Sequence, residues 1–271
     1  MCKFWKMCRR DVFVIQSFTP PVNDHIIELF ITLDALRSAS ARRITVVVPY
    51  YSYARSDKKD APRISITGRL MADLMVTAGA NRVLTMDLHA PQVQGFFSIP
   101  VDHLTAIPTI ADHVQRTHDL AKAVVVAADV GSVKRAGFFA RRLHLPMAII
   151  DKRRLSDTNV VQGSIVGDVA GRDAFVFEDE IATGTTLLTT VHTLRDAGAR
   201  SIFVGATHPV FCGQAIKHFA EAPIEAIFVT NTVDVPETKR LDKITVLSVA
   251  PLLAAAIERI HTGESVGALF S

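Results

Sequence analysis

Short apolar runs and stretches of 3.6-residue periodicity take turns along almost the whole chain. Asp11 to Gln16 reads as a strand, and Asn23 then caps a helix carrying Ile26, Ile27, Phe30, Leu33 and Leu36 on its buried side. Ile44 to Val48 is a strand closed by Pro49. Thr67 opens a helix with Leu70, Met71, Leu74 and Met75 inward, stopped by Gly79, and Val83 to Met86 is the next strand. The plan then repeats with a strand at Ala123 to Ala127, a helix at Val133 to Leu143 and a strand at Met147 to Ile150. Strands at Ile202 to Ala206, Ile227 to Thr230 and Ile244 to Val249 follow. Such continuous runs are buried on both faces, so the pattern predicts an α/β protein with mostly parallel sheets flanked by helices. Val46-Val47-Val48-Pro49 and Val124-Val125-Val126-Ala127 hold similar places in the two halves. Two similar domains are therefore expected, 1–105 and 106–271, joined near Leu104 to Pro108, with the last helix able to pack back on the first.

One segment breaks the plain alternation. Ala174-Phe175-Val176-Phe177 reads as a buried strand that ends in the adjacent acids Glu178 and Asp179. A small-residue turn follows, Thr183-Gly184-Thr185-Thr186, and then Leu187, Leu188, Val191 and Leu194 recur at helical spacing until Gly198. Backbone N–H groups at a helix start, helped by the hydroxyls of Thr183, Thr185 and Thr186, suit a phosphate. The two carboxylates can accept hydrogen bonds from vicinal sugar hydroxyls. Acids that merely cap a helix are the plainer alternative.

Other polar groups sit at strand ends. Strand alternation would put Asp87 and His89 on one face, toward a magnesium ion or phosphates. Asp129 ends the corresponding strand of the second half, where it would also serve as a helix cap before Gly131-Ser132. Lys58, Lys59 and Arg63 form one basic loop and Lys152, Arg153 and Arg154 another; each reads either as a solvated charge run or as a grip on phosphoryl groups.

Composition narrows the class. The 271 residues carry a formal net charge of only +3, which argues against a dedicated nucleic-acid binder. No apolar run approaches the roughly 20 residues needed to cross a bilayer, so no membrane partner is expected. Met1 to Arg10 has charges but no apolar core of a signal peptide. Cys2, Cys8 and Cys212 show no metal-ligand spacing, and an odd count reads as free thiols in a reducing cytoplasm.

Several long segments, in order, resemble the ribose-phosphate pyrophosphokinases (phosphoribosyl pyrophosphate synthetases). They are Tyr53-Ala54-Arg55-Ser56-Asp57-Lys58-Lys59, Asp87-Leu88-His89-Ala90-Pro91-Gln92-Val93-Gln94-Gly95-Phe96-Phe97, Ala128-Asp129-Val130-Gly131 and Ile150-Asp151-Lys152-Arg153-Arg154. The acid–Thr/Gly loop resembles the ribose-5-phosphate loop of the phosphoribosyltransferase fold. The resemblance runs from about Asp11 to Phe270 and implies two phosphoribosyltransferase-like domains. It implies transfer of the pyrophosphoryl group of ATP to the anomeric hydroxyl of D-ribose 5-phosphate. The products are 5-phospho-α-D-ribose 1-diphosphate, for nucleotide biosynthesis, and AMP.

By the same resemblance Arg55, Ser56, Lys58 and His89 bind ATP, and His89 and Asp129 hold Mg²⁺. Lys152 and Arg154 act on the transferring group. Ribose 5-phosphate is held by Arg154, Glu178, Asp179, Ala182, Thr183, Gly184, Thr185 and Thr186. A cytoplasmic homo-oligomer is implied. The chain departs from the family pattern at Ser56, where a glutamine is usual, at Ala182, often an aspartate, and at Thr185, often a glycine. Family chains also begin with an extra segment carrying a Phe-Ser-Asp-Gly-Glu loop that grips adenine, which nothing in Met1 to Arg10 replaces. The expectation is a fragment or mis-started copy that keeps the ribose-5-phosphate loop and binds ATP poorly. Two other readings stay open: a non-catalytic family member acting only in assembly, and a phosphoribosyltransferase.

Overall fold

The computed structural model describes residues 9–151 and 164–269. The chain divides into two compact units, one of residues 1–105 with 250–271 and one of residues 106–249. In the first, β1 (Asp11–Ile15), α1 (Val22–Ser38), β2 (Arg43–Val48), α2 (Thr67–Ala78), β3 (Arg82–Met86) and β4 (Val101–Leu104) follow one another. The strands pair in chain order, β1-β2-β3-β4, all parallel. Val46, Val47 and Val48 of β2 are fully buried, as a strand covered on both faces requires.

Strand β4 escapes sequence reading because polar Asp102 and His103 interrupt its apolar pattern. Arg82 on the neighbouring strand grips Asp102 with two bonds, Nε at 2.5 Å and Nη2 at 3.0 Å. That hydrogen bonding pushes the Arg82 guanidinium pKa up, so the edge strand is tied by a permanent charge pair.

Both helix faces of this unit are rotated from the expected ones. In α1 the buried residues are Ile26, Leu29, Leu33 and Leu36, while Ile27 and Ile31 are 55% and 65% exposed. In α2 Ala72 and Met75 point inward, and Leu70 and Leu74 stay exposed. Each helix carries a wider apolar arc than the sheet can cover, so periodicity alone leaves the buried edge of that arc open. Nor does Asn23 cap α1: the helix starts at Val22, and the Asn23 carboxamide oxygen accepts a hydrogen bond from the Tyr53 hydroxyl at 3.0 Å.

The second unit is a seven-stranded sheet. Its elements are α3 (Ile107–Thr117), β5 (Ala123–Ala127), α4 (Val133–Leu143), β6 (Met147–Asp151), β7 (Ser164–Val166), β8 (Asp173–Ile181), α5 (Thr185–Asp196), β9 (Ser201–Pro209), α6 (Ala215–Glu221), β10 (Ala226–Thr230) and β11 (Ile244–Leu247). Strand order is β11-β10-β9-β8-β5-β6-β7, parallel except for the β6–β7 pair. The last helix, α7 (Ala250–Thr262), groups with the first unit. There the Ile260 carbonyl accepts from Arg43 at 3.0 Å, and Arg43 pairs with Asp11.

Alternation along the central strands builds two cores at once. Val124, Val126, Val176 and Val204 pack with Val191, Leu194 and Phe219 on one face. Val125, Phe175, Phe177 and Phe203 pack with Ile110, Phe139 and Phe228 on the other. Phe177 is 1% exposed and stacks on Phe139, with ring centroids 5.3 Å apart. Truncating it removes a ring that α4 rests on, just before the two acids of β8. Phe177→Ala is therefore expected to cost about 3–5 kcal/mol of unfolding free energy in urea titrations; a cost below ~1 kcal/mol would mean that the site strand does not depend on this stack.

Candidate active site

Strands β5 and β8 are neighbours and parallel, with Ala123 opposite Asp173 and Val126 opposite Val176. From β5 the chain passes through α4 to β6 on one side, and from β8 it passes through α5 to β9 on the other. The carboxyl ends of two such strands border a crevice, because both connections turn away from it; ligands of open α/β sheets bind there. Asp129 follows β5, and Glu178 to Thr186 occupy the end of β8 and the turn behind it.

The strand does not stop before the acids. β8 runs on through Ile181, with Glu178 opposite Ala206 and Glu180 opposite His208 on β9. Pairing to β9 holds both carboxylates on rigid backbone rather than on a loop. Asp179 is 4% exposed, and Arg135 of α4 reaches both acids. Its Nη1 lies 3.3 Å from Glu178 Oε2 and 3.0 Å from Asp179 Oδ1. One guanidinium thus offsets the repulsion of two adjacent negative charges and fixes one oxygen of each. Sequence reading passed over Arg135. Its signal is a cation in the first turn of a helix, where the dipole disfavours positive charge and a nearby anion must compensate.

Behind the acids the chain turns sharply. Gly184 has φ +76°, and a Cβ there would stand 2.4 Å from the Phe219 ring. Backbone bonds from Phe211 N–H to the Ile181 carbonyl (2.9 Å) and from Cys212 N–H to the Ala182 carbonyl (3.1 Å) pin the turn from below. The first helical bond of α5 runs from Leu188 N–H to the Gly184 carbonyl, so the amides of Thr185, Thr186 and Leu187 precede the ladder. Thr183, Thr185 and Thr186 are exposed around them, and the hydroxyls of Thr183 and Thr185 stand 3.2 Å apart. Backbone donors and hydroxyls at a helix start form an anion seat.

Asp129 does cap a turn: its Oδ1 accepts the Ser132 N–H at 2.8 Å, and Ser132 Oγ accepts from Asp129 N–H at 3.1 Å. No described residue partners Oδ2, which leaves that oxygen for a cation. Among the described residues no three His, Cys, Asp or Glu side chains cluster as a preformed metal site. Magnesium fits such a sparse donor set, since one or two carboxylates plus substrate phosphates usually hold it.

The first unit positions the remaining candidates. Arg55 ends a short 3-10 turn, Ser52–Arg55, and is exposed, as is Lys58. Ser56 is spent on its own backbone: its hydroxyl accepts the Thr67 N–H at 3.0 Å and donates to the Ser65 carbonyl at 3.1 Å. It closes the basic loop of Lys58, Lys59 and Arg63 against the start of α2. Tyr51 braces the same junction by donating to the Gly68 carbonyl at 2.9 Å. Burial, reinforced by Asp73, pushes the Tyr51 hydroxyl far above its usual range, so it remains a donor. β3 ends at Met86 and Asp87 has φ +36°, so the alternation that would place positions 87 and 89 on one face stops short of them. His89 is exposed on the turn that follows. Lys152 and Arg154 lie outside the described residues, as do Cys2 and Cys8.

Models of known families match three stretches of the chain. The N-terminal domain of ribose phosphate pyrophosphokinase matches residues 6–79, the phosphoribosyl transferase domain residues 102–214, and the phosphoribosyl synthetase-associated domain residues 161–271. A ribose-phosphate pyrophosphokinase of Deinococcus radiodurans is 52% identical over 266 residues, which span 96% of this chain and 83% of that one. One of Rhodopirellula baltica is 49% identical over 263 residues, with the same coverage of 96% and 83%. Among solved structures, phosphoribosylpyrophosphate synthetase from Mycobacterium smegmatis superposes with a TM-score of 0.89 at 40% identity, covering 95% of this chain and 85% of that one. No helix among the described residues is long and apolar enough to cross a membrane.

The turn at Gly184 yields a test. Gly184→Ala forces a side chain into the left-handed region and against a fully buried ring, so a loss of about 1–3 kcal/mol from backbone strain alone is expected in urea unfolding. Adding Phe219→Ala makes room for the methyl without curing the backbone. The double variant should therefore fall short of the sum of the two single losses, and strict additivity would show that the close approach carries no energy.

Proposed function

This chain belongs to the ribose-phosphate pyrophosphokinase family, and we propose that it converts ATP and D-ribose 5-phosphate to 5-phospho-α-D-ribose 1-diphosphate and AMP. What carries the reading is the juxtaposition of paired acids with the helix start at Gly184–Thr186, at the crevice between β5 and β8. A sugar phosphate asks for both: acceptors for vicinal hydroxyls and donors for a phosphate.

The anomeric hydroxyl attacks the β-phosphorus and gives up its proton to solvent, a new P–O bond forms there, and the bond from that phosphorus to the α–β bridging oxygen breaks as AMP leaves. Glu178 and Asp179 accept hydrogen bonds from the ribose hydroxyls, with Arg135 orienting both carboxylates. The 5-phosphate takes the amides and hydroxyls of Thr183 to Thr186, with Gly184 supplying the turn and Ala182 its backbone. Arg55, Lys58 and His89 bind ATP, while Ser56 serves that loop by shaping it. Lys152 and Arg154 stabilise charge developing on the transferring group, and Arg154 also meets ribose 5-phosphate. His89 and the second oxygen of Asp129 would hold Mg²⁺, which would supply positive charge against the triphosphate. The reaction needs no covalent nucleophile, since phosphoryl transfer rests on positioning and charge. A cytoplasmic homo-oligomer is the accompanying expectation.

The direct test is to follow AMP formation from ATP and ribose 5-phosphate; a phosphoribosyltransferase would form none, nor would a member that only assembles. Within the site, Asp179→Asn keeps the shape and removes a charged acceptor. Hydrogen bonds to charged groups contribute about 1.5–3 kcal/mol, so ribose-5-phosphate affinity by calorimetry should fall roughly 10- to 150-fold while ATP affinity stays close to parental. Equal weakening of both substrates would reassign the acid pair to structure.

A further inference from the structure

The turn that carries His89 is held by a second histidine. Asp87, at φ +36°, occupies a backbone region that costs a non-glycine residue free energy and persists only where the surroundings impose it. Two consecutive amides of this turn are claimed by β4: Asp87 N–H donates to the Leu104 carbonyl at 3.0 Å, and Leu88 N–H donates to His103 Nε2 at 2.8 Å. An imidazole whose Nε2 accepts carries its proton on Nδ1, so Gln94 Nε2, 3.1 Å from Nδ1, meets a second donor there and donates instead to the Pro91 carbonyl at 3.0 Å. His103 therefore ties the edge strand to the strained turn. Its strand is itself fixed by the Arg82–Asp102 pair, so the imidazole is mounted on a rigid base. Leu88, between Asp87 and His89, is itself buried, 4% exposed.

The geometry points to His103 as the positioning residue for His89: its Nε2 accepts the Leu88 amide, holds Asp87 in its unfavourable conformation and thereby sets where His89 emerges. The part that concerns catalysis rests on the proposal that His89 binds ATP and its magnesium. The tether itself does not, and the test separates the two.

Three variants of the full chain are compared: His103→Ala, which removes the acceptor; His103→Gln, whose Oε1 can accept at a similar reach; and His89→Ala. Hydrogen exchange at the Leu88 amide, measured without substrates, should be about tenfold faster in His103→Ala and near parental in His103→Gln. In steady-state assays kcat/KM for ATP should drop roughly 10- to 100-fold in His103→Ala, return most of the way in His103→Gln, and leave the KM for ribose 5-phosphate within about twofold. Parental exchange in His103→Ala, or exchange in His103→Gln as fast as in His103→Ala, overturns the tether. Faster exchange without any change toward ATP overturns the positioning role. Parental ATP kinetics in His89→Ala would instead defeat the ATP reading of His89, with the exchange result standing on its own.

Discussion

The acid pair, the helix-start seat and Asp129 all follow from one pairing: β5 beside β8, parallel, with their onward chains leaving in opposite directions. Parallel strands bring like ends together, so Asp129 and the acid pair of β8 arise from different parts of the sequence yet share one edge of the sheet. Diverging connections keep helices from filling that edge. The fold thus supplies an open polar rim before any side chain is specified.

On that rim charge is placed and then restrained. Glu178 and Asp179 would repel each other if left alone, and Asp179 is almost wholly buried. Arg135 answers both with one planar group. Asp129 closes a turn through one carboxylate oxygen, which accepts the Ser132 N–H. In the first unit Ser56, Tyr51 and His103 play comparable supporting parts, tying loop backbone so that neighbouring side chains are presented consistently. Polar groups bonded to backbone lose little further freedom when a ligand arrives, which is the physical content of preorganisation.

The hydrophobic pattern revealed the fold class because buried parallel strands leave long valine and isoleucine runs that few other structures produce. It missed β4, where a charge pair and a histidine replace apolar residues, and it misjudged which side of α1 and α2 is covered, since Ile27, Ile31 and Leu74 are as apolar as the residues that are buried. The acid–Thr/Gly loop was legible as chemistry, whereas its strand continued four residues past Phe177 because register with β9 overrides the polarity of the side chains. Arg135 carried only the faint signal of a cation in a helix's first turn, and His103 none: each acts through a partner 40-odd or 15 positions away, at a distance that only the folded chain sets.

The Phe219 ring, on α6, fills the space behind Gly184 and is itself closed in by Phe211, whose backbone pins the turn. In a mutational scan scored by product formation, substitutions at Phe219 and Phe211 will mimic those of ligand-contacting residues, although neither presents a polar side chain. Anyone mapping the binding surface from such a scan would draw it too large. Conversely, a directed-evolution search for altered sugar-phosphate preference gains reach by randomising these two positions, because they govern the curvature of the loop without removing any of its hydrogen-bond donors.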